Sequence, residues 1–156
     1  MTCVIMCSYK AARTAPLNFV LLGIYTAAHA YLVGAVIPQY EAEIVVAAAL
    51  CTIAMFVGLT AYACFTKTDL TAMGGFLCTL TMMLFMFFIL NWILRIKMLH
   101  LLLVLAAIAL LSIWIVYDTQ IIVGGKHRRY QLEVDDYIIG ALIIYSDILT
   151  LFLYIL

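Results

Sequence analysis

Charged residues are scarce in this sequence. Only 10% of its 156 residues are Asp, Glu, Lys or Arg, and 69% are hydrophobic. Soluble domains carry roughly 25% charged and about 45–50% apolar residues. The excess is too large for the core of a globular domain, so the solvent around most of the chain is a lipid bilayer. The eight basic and eight acidic residues cancel, and a net charge of zero gives no support to nucleic-acid binding.

Paired cysteines and clustered histidines are also missing. The five cysteines are odd in number and have no C-x-x-C spacing, and the three histidines lie apart from them and from one another. This pattern indicates small apolar side chains in a membrane protein rather than a disulfide framework or a set of metal ligands. We therefore expect no tightly bound cofactor.

Five long apolar runs make up most of the chain. They cover residues 17–37, 44–65, 70–94, 98–123 and 137–156. A helix needs about 20 residues to cross a hydrocarbon core of ~30 Å, and lipid offers the backbone no hydrogen-bond partner, so each run is predicted to be a helix. The predicted fold class is an all-α membrane protein, a polytopic helical bundle in one domain over residues 17–156.

The basic residues are divided unevenly between the two ends of these runs. Six lie on one side if all five runs span: Lys10, Arg13, Lys67, Lys126, Arg128 and Arg129. Two lie on the other side, Arg95 and Lys97. Positively charged residues favour the cytosolic side, so the first set is predicted to face the cytosol. A re-entrant last run would return the C-terminus to the cytosol, and the sequence leaves that alternative open.

Residues 1–16 do not fit a signal peptide. Their short apolar stretch comes before the charges, whereas a signal peptide places its charges first. We interpret them as the remnant of a preceding helix followed by a cytosolic junction.

Two carboxylates lie inside apolar runs, where a charge is costly. They are Asp118 in "IWIVYDTQIIVGG" and Asp147 in "IIYSDILTLF", and insertion scales put the cost at about 2.5–3.5 kcal/mol for each. No Lys or Arg occurs inside the runs. The cost can therefore be offset in four ways. Each carboxylate could be protonated, face a water-filled cavity, bind a cation, or interact with the other aspartate.

Geometry allows the two aspartates to meet. Asp118 lies ~9 Å and Asp147 ~16 Å from the loop that joins their helices, a mismatch closed by tilt or by a helix that continues past Val123. Two carboxyls in contact at low dielectric cannot both ionise, so they titrate as a pair. Such a pair is a proton switch that becomes a cation site when deprotonated. The structural alternative is two neutral aspartic acids that hold helices together.

Nearby polar residues are candidates to support the pair. Tyr117, Thr119, Gln120 and Ser146 adjoin it in sequence, and Glu43 opens a helix where the dipole favours a carboxylate. Capping alone would also explain Glu43.

An intramembrane aspartyl protease is the enzymatic alternative. Tyr117–Asp118 matches its Tyr-Asp element, but the residues before Asp147 are not Gly-x-Gly, and a Pro-Ala-Leu element is absent. We therefore predict that the chain is not an enzyme.

Three segments together resemble the transmembrane Bax inhibitor motif-containing, or Lifeguard, family. They are "TKTDLT" (66–71), "VYDTQ" (116–120) and "DDYIIGALIIYSDILTLFLYIL" (135–156), and the resemblance runs from about Cys7 to the end. It implies seven helices with the last surrounded by the other six, and residence in endoplasmic reticulum or Golgi membranes, with the plasma membrane as an alternative.

The resemblance also implies an activity. A member would be a calcium leak channel that lowers store content and inhibits apoptosis, with Asp118 and Asp147 as a pH-sensing pair that binds permeant Ca²⁺ transiently. The family's first helix and most of its second have no counterpart in this sequence, so we expect an N-terminally truncated member with five helices.

A non-conducting membrane adaptor is the alternative function. It would inhibit apoptosis by binding other membrane proteins, with the aspartates as packing contacts and the basic loop "GGKHRRYQ" (124–131) as the contact surface. The expected partners are lipid, Ca²⁺, protons and apoptosis-regulating membrane proteins.

Overall fold

The computed structural model describes residues 17–124, 129–133 and 136–156. Within these ranges it consists of helices and short connections, with no strand. The α-helices are α1 (Leu17–Val36), α2 (Ala42–Phe65), α3 (Gly74–Leu94), α4 (Lys97–Val123) and α5 (Tyr137–Ile155). All five are long and apolar enough to cross a membrane. The prediction of an all-α polytopic bundle is confirmed, while the predicted N-terminal remnant at residues 1–16 lies outside the described ranges.

Local hydrogen bonds explain where the helices begin and end. α3 begins at Gly74 rather than at the start of the apolar run, because Oδ1 of Asp69 accepts from the backbone N–H of Thr71 at 2.9 Å and from its hydroxyl at 2.6 Å. This side-chain turn leads into a 3₁₀ turn at Thr71–Met73. α4 ends at Val123 because Gly124 takes a left-handed φ of 64°, so this helix does not continue past Val123.

The helices form a bundle with two distinct ends. At the first, Oδ2 of Asp69 in the α2–α3 loop accepts from the backbone N–H of Arg129 in the α4–α5 loop at 3.0 Å; we call this the loop end. At the other, Tyr40, Lys97 and Ile155 line one cavity; we call this the turn end. α5 therefore runs from the loop end to the turn end of the bundle as one continuous helix.

The last two helices occupy the centre of the bundle. In the most apolar stretch of each helix, about 28% of α4 and 33% of α5 is buried, compared with 6–11% in the other three helices. α5 packs on α1, α2 and α4, and its Tyr154 ring lies 6.4 Å from the Phe88 ring of α3. Within the described ranges the last helix thus contacts every other helix.

The outer surface is apolar. On α3, Met82, Met83, Phe85 and Met86 are each more than half exposed. Cys51, Cys64 and Cys78 are free and exposed as well. An apolar surface of this extent is typical of a helix bundle in lipid.

Candidate functional site: an aspartate pair between the last two helices

Asp118 on α4 and Asp147 on α5 lie side by side. Their carboxyl groups lie close enough to share a hydrogen bond, and both residues are half-buried between the two central helices. A hydrogen bond between two carboxyl groups requires that one of them keeps its proton, because an ionised carboxylate can only accept. The arrangement is therefore suited to hold one proton between the two carboxyl groups.

The stagger of α5 against α4 brings the two residues to a similar depth. A Cβ atom added to Gly140 would lie 3.7 Å from Cγ1 of Ile122, which sets these two residues at one level. From there Asp118 is about 6 Å and Asp147 about 10.5 Å along its helix. The remaining offset of about 4–5 Å is within reach of the side chains, and it is smaller than the 7 Å or so expected from the loop ends alone.

In the described helices, no basic side chain lies beside the pair. In the helices as described, the only Lys or Arg is Lys97, at the turn-end start of α4. On α1, the ring centroid of His29 lies 6.0 Å from that of Tyr145, two residues before Asp147. Charge on the pair must therefore be balanced by a proton, by water or by an entering cation.

Ser146 joins the pair's helix to α1. Its hydroxyl donates to the carbonyl of Leu142 at 2.7 Å and hydrogen-bonds the hydroxyl of Tyr25. Since the single proton of Ser146 is used on Leu142, Tyr25 is the donor in the second bond. The predicted supporting residue thus fixes α1 on α5, one position away from Asp147.

Tyr117 and Gln120 point away from the pair. A Cβ atom added to Gly74 of α3 would lie 2.5 Å from the hydroxyl of Tyr117. The Gln120 side chain is 1% exposed, and its amide donates to the carbonyl of Thr68 at 3.0 Å and accepts from the N–H of Leu70 at 2.9 Å. Tyr117 therefore packs on α3, and Gln120 holds the α2–α3 loop.

Two other predicted supporting residues take different places. Thr119 is buried within α4. Glu43 is exposed in the first turn of α2, and α2 begins at the turn end. The structure does not bring Glu43 to the pair, because α2 starts at the end of the bundle opposite the α4–α5 loop.

A cavity lies at the loop end, on the side of the pair nearer the α4–α5 loop. Its volume is about 540 Å³, and Ile122, Ile144, Glu133 and Asp136 are among its lining residues. Ile122 lies four residues after Asp118 and Ile144 lies three before Asp147, so the cavity comes within one helical turn of both aspartates. Two carboxylates, the exposed Glu133 and the buried Asp136, are thus part of its lining.

The oxygen atoms at the pair are too few to hold a cation tightly. Among the described residues no group of three or more His, Cys, Asp or Glu side chains could hold a metal ion. The pair supplies at most four carboxylate oxygens, whereas Ca²⁺ takes 6–8 oxygen ligands. Water would have to complete the shell, which suits passage better than storage.

An aromatic cluster beside the pair was not predicted from the sequence. The rings of Tyr25 and His29 lie 4.2 Å apart, and Tyr145 packs edge-on to Tyr25 at 6.2 Å. His29 thus has aromatic neighbours on both α1 and α5. The signal that could have found the cluster is the four-residue spacing of Tyr25 and His29, which puts both on one helix face.

The predicted basic contact surface is described only in part. Residues 125–128 lie outside the described ranges, while Arg129 and Tyr130 are exposed at the loop end. The guanidinium of Arg129 lies 5.7 Å from the centre of the Tyr130 ring.

Comparison with known proteins finds relatives over the whole chain. The family model described as "Inhibitor of apoptosis-promoting Bax1" matches residues 1–156. Protein lifeguard 3 of Homo sapiens is 29% identical over 157 residues, which covers 98% of this chain and 50% of that protein. Protein lifeguard 4 of Mus musculus is 33% identical over 144 residues, covering 92% of this chain and 58% of that protein.

The chain spans about half the length of the curated relatives it matches. No solved structure matches it.

Proposed function

This chain belongs to the family of inhibitors of apoptosis-promoting Bax1, and from that premise we propose that it is a pH-regulated calcium leak channel of intracellular membranes with cytoprotective activity. Its five apolar helices make it an integral, multi-pass membrane protein. Endoplasmic reticulum or Golgi is the proposed compartment, and lower store Ca²⁺ is the proposed cause of protection from apoptosis.

The single observation that carries the proposal is the close placement of the Asp118 and Asp147 carboxyl groups between the two central helices. Both carboxyls lie in the two central helices, with no Lys or Arg beside them in the described part of the bundle. Ionisable residues at membrane depth mark ion and proton pathways, because their cost must be balanced by a function.

The steps by which the aspartate pair would respond to pH follow from its charge. With one proton shared, the pair carries at most one negative charge and joins α4 to α5. When that proton leaves, two carboxylates in contact repel each other and loosen the link. Their oxygens then become ligands for a cation that enters through the loop-end cavity past Glu133 and Asp136.

Substitution of each aspartate by asparagine tests this function. Asp118→Asn and Asp147→Asn keep the size and hydrogen bonding of the side chain but cannot gain or lose the charge. We expect each variant to lose most of the pH response of the Ca²⁺ leak from stores of permeabilised cells between about pH 6 and pH 8. A store-targeted Ca²⁺ indicator gives the leak rate.

Glu41→Gln is the matched control. Glu41 is an exposed carboxylate at the turn end, immediately before α2, and its loss should leave the pH response intact. Asparagine variants that keep both leak and pH response would exclude the gating role. If the unaltered chain and all variants carry no Ca²⁺ flux, and the asparagine variants still protect cells, the non-conducting adaptor would be favoured.

A further inference from the structure

A second polar site lies at the turn end, far from the aspartates. Where α3 ends and α4 begins there is a cavity of about 290 Å³. Its lining residues are Asn91, Trp92, Arg95, Ile96, Lys97 and His100. His100 is eighteen residues from Asp118 on the same helix, or about 27 Å. This cavity therefore belongs to neither the aspartate pair nor the cavity at the loop end.

The wall of this cavity is positively charged. Arg95, Lys97 and His100 supply two fixed charges and one imidazole, and none of the lining residues is acidic. α4 begins here, and the residue at its N-cap, Ile96, has no polar side chain to accept from the first backbone amides. Free amides at a helix N-terminus add partial positive charge to the two basic side chains.

A buried amide in the same wall lacks a partner. Asn91 is 7% exposed, and among the residues that the structure describes its Oδ1 finds no hydrogen bond. Its Nδ2 lies 3.5 Å from Nδ1 of His100, a long contact. An unpaired buried polar atom is costly. A bound ligand or a rearrangement that gives the amide of Asn91 a partner would therefore be favourable.

Rotation of the amide satisfies both of its ends when an anion is present. With the amide turned over, Oδ1 accepts from the Nδ1–H of His100, and the NH₂ group takes the buried position of Oδ1 in the wall of the cavity. That donor would stand with the guanidinium of Arg95 and the ammonium of Lys97. Three donors around one small cavity match the oxygens of a phosphate group.

We propose that this cavity binds the phosphate of an anionic lipid headgroup. The lipid source, rather than free phosphate, is favoured by the apolar side chains that share the wall. Trp92 is 79% and Ile96 47% exposed, at the end of an apolar helix, where tryptophan marks the membrane interface. A lipid places its phosphate at that depth and its acyl chains along α3.

Lipid binding by purified full chain tests the proposal. The chain in neutral detergent is titrated with dioleoyl phosphatidylglycerol, with dioleoyl phosphatidylcholine and with inorganic phosphate alone, and bound ligand is counted by native mass spectrometry. We expect phosphatidylglycerol to bind most tightly, because the choline ammonium of the zwitterionic lipid meets like charges. Inorganic phosphate should not stay bound.

Two substitutions each remove one positive charge from the wall of this cavity and should leave the fold intact. Arg95 has a left-handed φ of 53°, so Arg95→Gly suits the backbone of the turn and should not unfold it. Lys97→Gln changes an exposed side chain. Each should weaken phosphatidylglycerol binding by about tenfold, since one charge-assisted contact is lost. Lys67→Gln, which removes an exposed charge at the loop end, is the matched control and should bind as the unaltered chain does.

Each other result overturns a stated part of the proposal. Equal affinity in Arg95→Gly, Lys97→Gln and the unaltered chain would exclude the site. An equal loss in Lys67→Gln would mean general attraction of anions rather than a site. Stable binding of inorganic phosphate alone, abolished by Arg95→Gly, would keep the anion site but refute a lipid as its ligand.

Discussion

Consecutive polar residues near the end of α4 serve different neighbours. Tyr117 packs against Gly74 of α3, Asp118 lies beside Asp147 of α5, and Gln120 holds the α2–α3 loop. Each step along a helix turns the side chain by about 100°, so residues one and two positions apart cannot face the same partner. α4 thereby links the proposed gate to the loop end.

Substitution of Gln120 should destabilise the contact between α4 and the α2–α3 loop. Gln120→Leu removes two hydrogen bonds and leaves the N–H of Leu70 without its acceptor at 2.9 Å. We expect the free energy of unfolding to fall by about 1–3 kcal/mol, measured as a lower midpoint of thermal unfolding by circular dichroism in detergent.

Gln39→Leu is the comparison for that experiment. The exposed amide of Gln39 donates only to Ala35, one turn earlier in its own segment, at 3.1 Å, so its loss should cost less than about 0.5 kcal/mol. If Gln120→Leu unfolds at the same temperature as Gln39→Leu, Gln120 does not hold the loop.

Among the helices, polar contacts fix the packing of an otherwise uniformly apolar bundle. Nε1 of Trp114 on α4 donates to the hydroxyl of Thr81 on α3 at 2.9 Å, and Tyr25 of α1 bonds Ser146 of α5. Lipid gives apolar side chains no reason to prefer each other, so such bonds and close backbone approach determine which helices meet.

The close approach of α3 and α4 gives a prediction at this scale. A Cβ atom at Gly74 would lie 2.5 Å from the Tyr117 hydroxyl, so Gly74→Ala should lower stability by about 1–3 kcal/mol. Addition of Tyr117→Phe removes the clashing oxygen and should restore part of the loss. Thermal unfolding of the single and double variants measures both effects.

Gly75→Ala is the control, since nothing lies within 4 Å of a Cβ atom at that glycine. It should be neutral or stabilising, by up to about 1 kcal/mol, because alanine favours a helix over glycine. If Gly74→Ala and Gly75→Ala behave alike, the two helices are not packed as closely as the Gly74–Tyr117 contact requires.

For the molecule as a whole, the sequence predicted the spans far better than the faces of the helices. Length and hydropathy are enough to locate α1 to α5, and the cost of an intramembrane carboxylate singles out Asp118 and Asp147. Helices that are apolar all round give no signal for which side faces the core. The directions of Tyr117 and Gln120 therefore could not be predicted.

The turn-end cavity was beyond sequence reasoning for a different reason. It depends on the left-handed backbone of Arg95, which is not a glycine, and on a contact between Asn91 and His100 across two helices. Neither leaves a mark in hydropathy or spacing. The Asp69 turn, in contrast, has a signal in the sequence, an aspartate followed two residues later by a threonine, but hydropathy alone placed residues 70–73 in the helix.

Whether Asp118 and Asp147 act as one proton-sharing unit is tested most directly by Ca²⁺ efflux from proteoliposomes. The purified chain, Asp118→Asn, Asp147→Asn and the double variant are compared across about pH 6–8. The shared proton predicts that each single variant loses most of the pH response and that the double variant loses no more than either, since the partners are not independent. Additive losses, an unchanged pH response in the single variants, or efflux equal to that of protein-free liposomes would contradict the account.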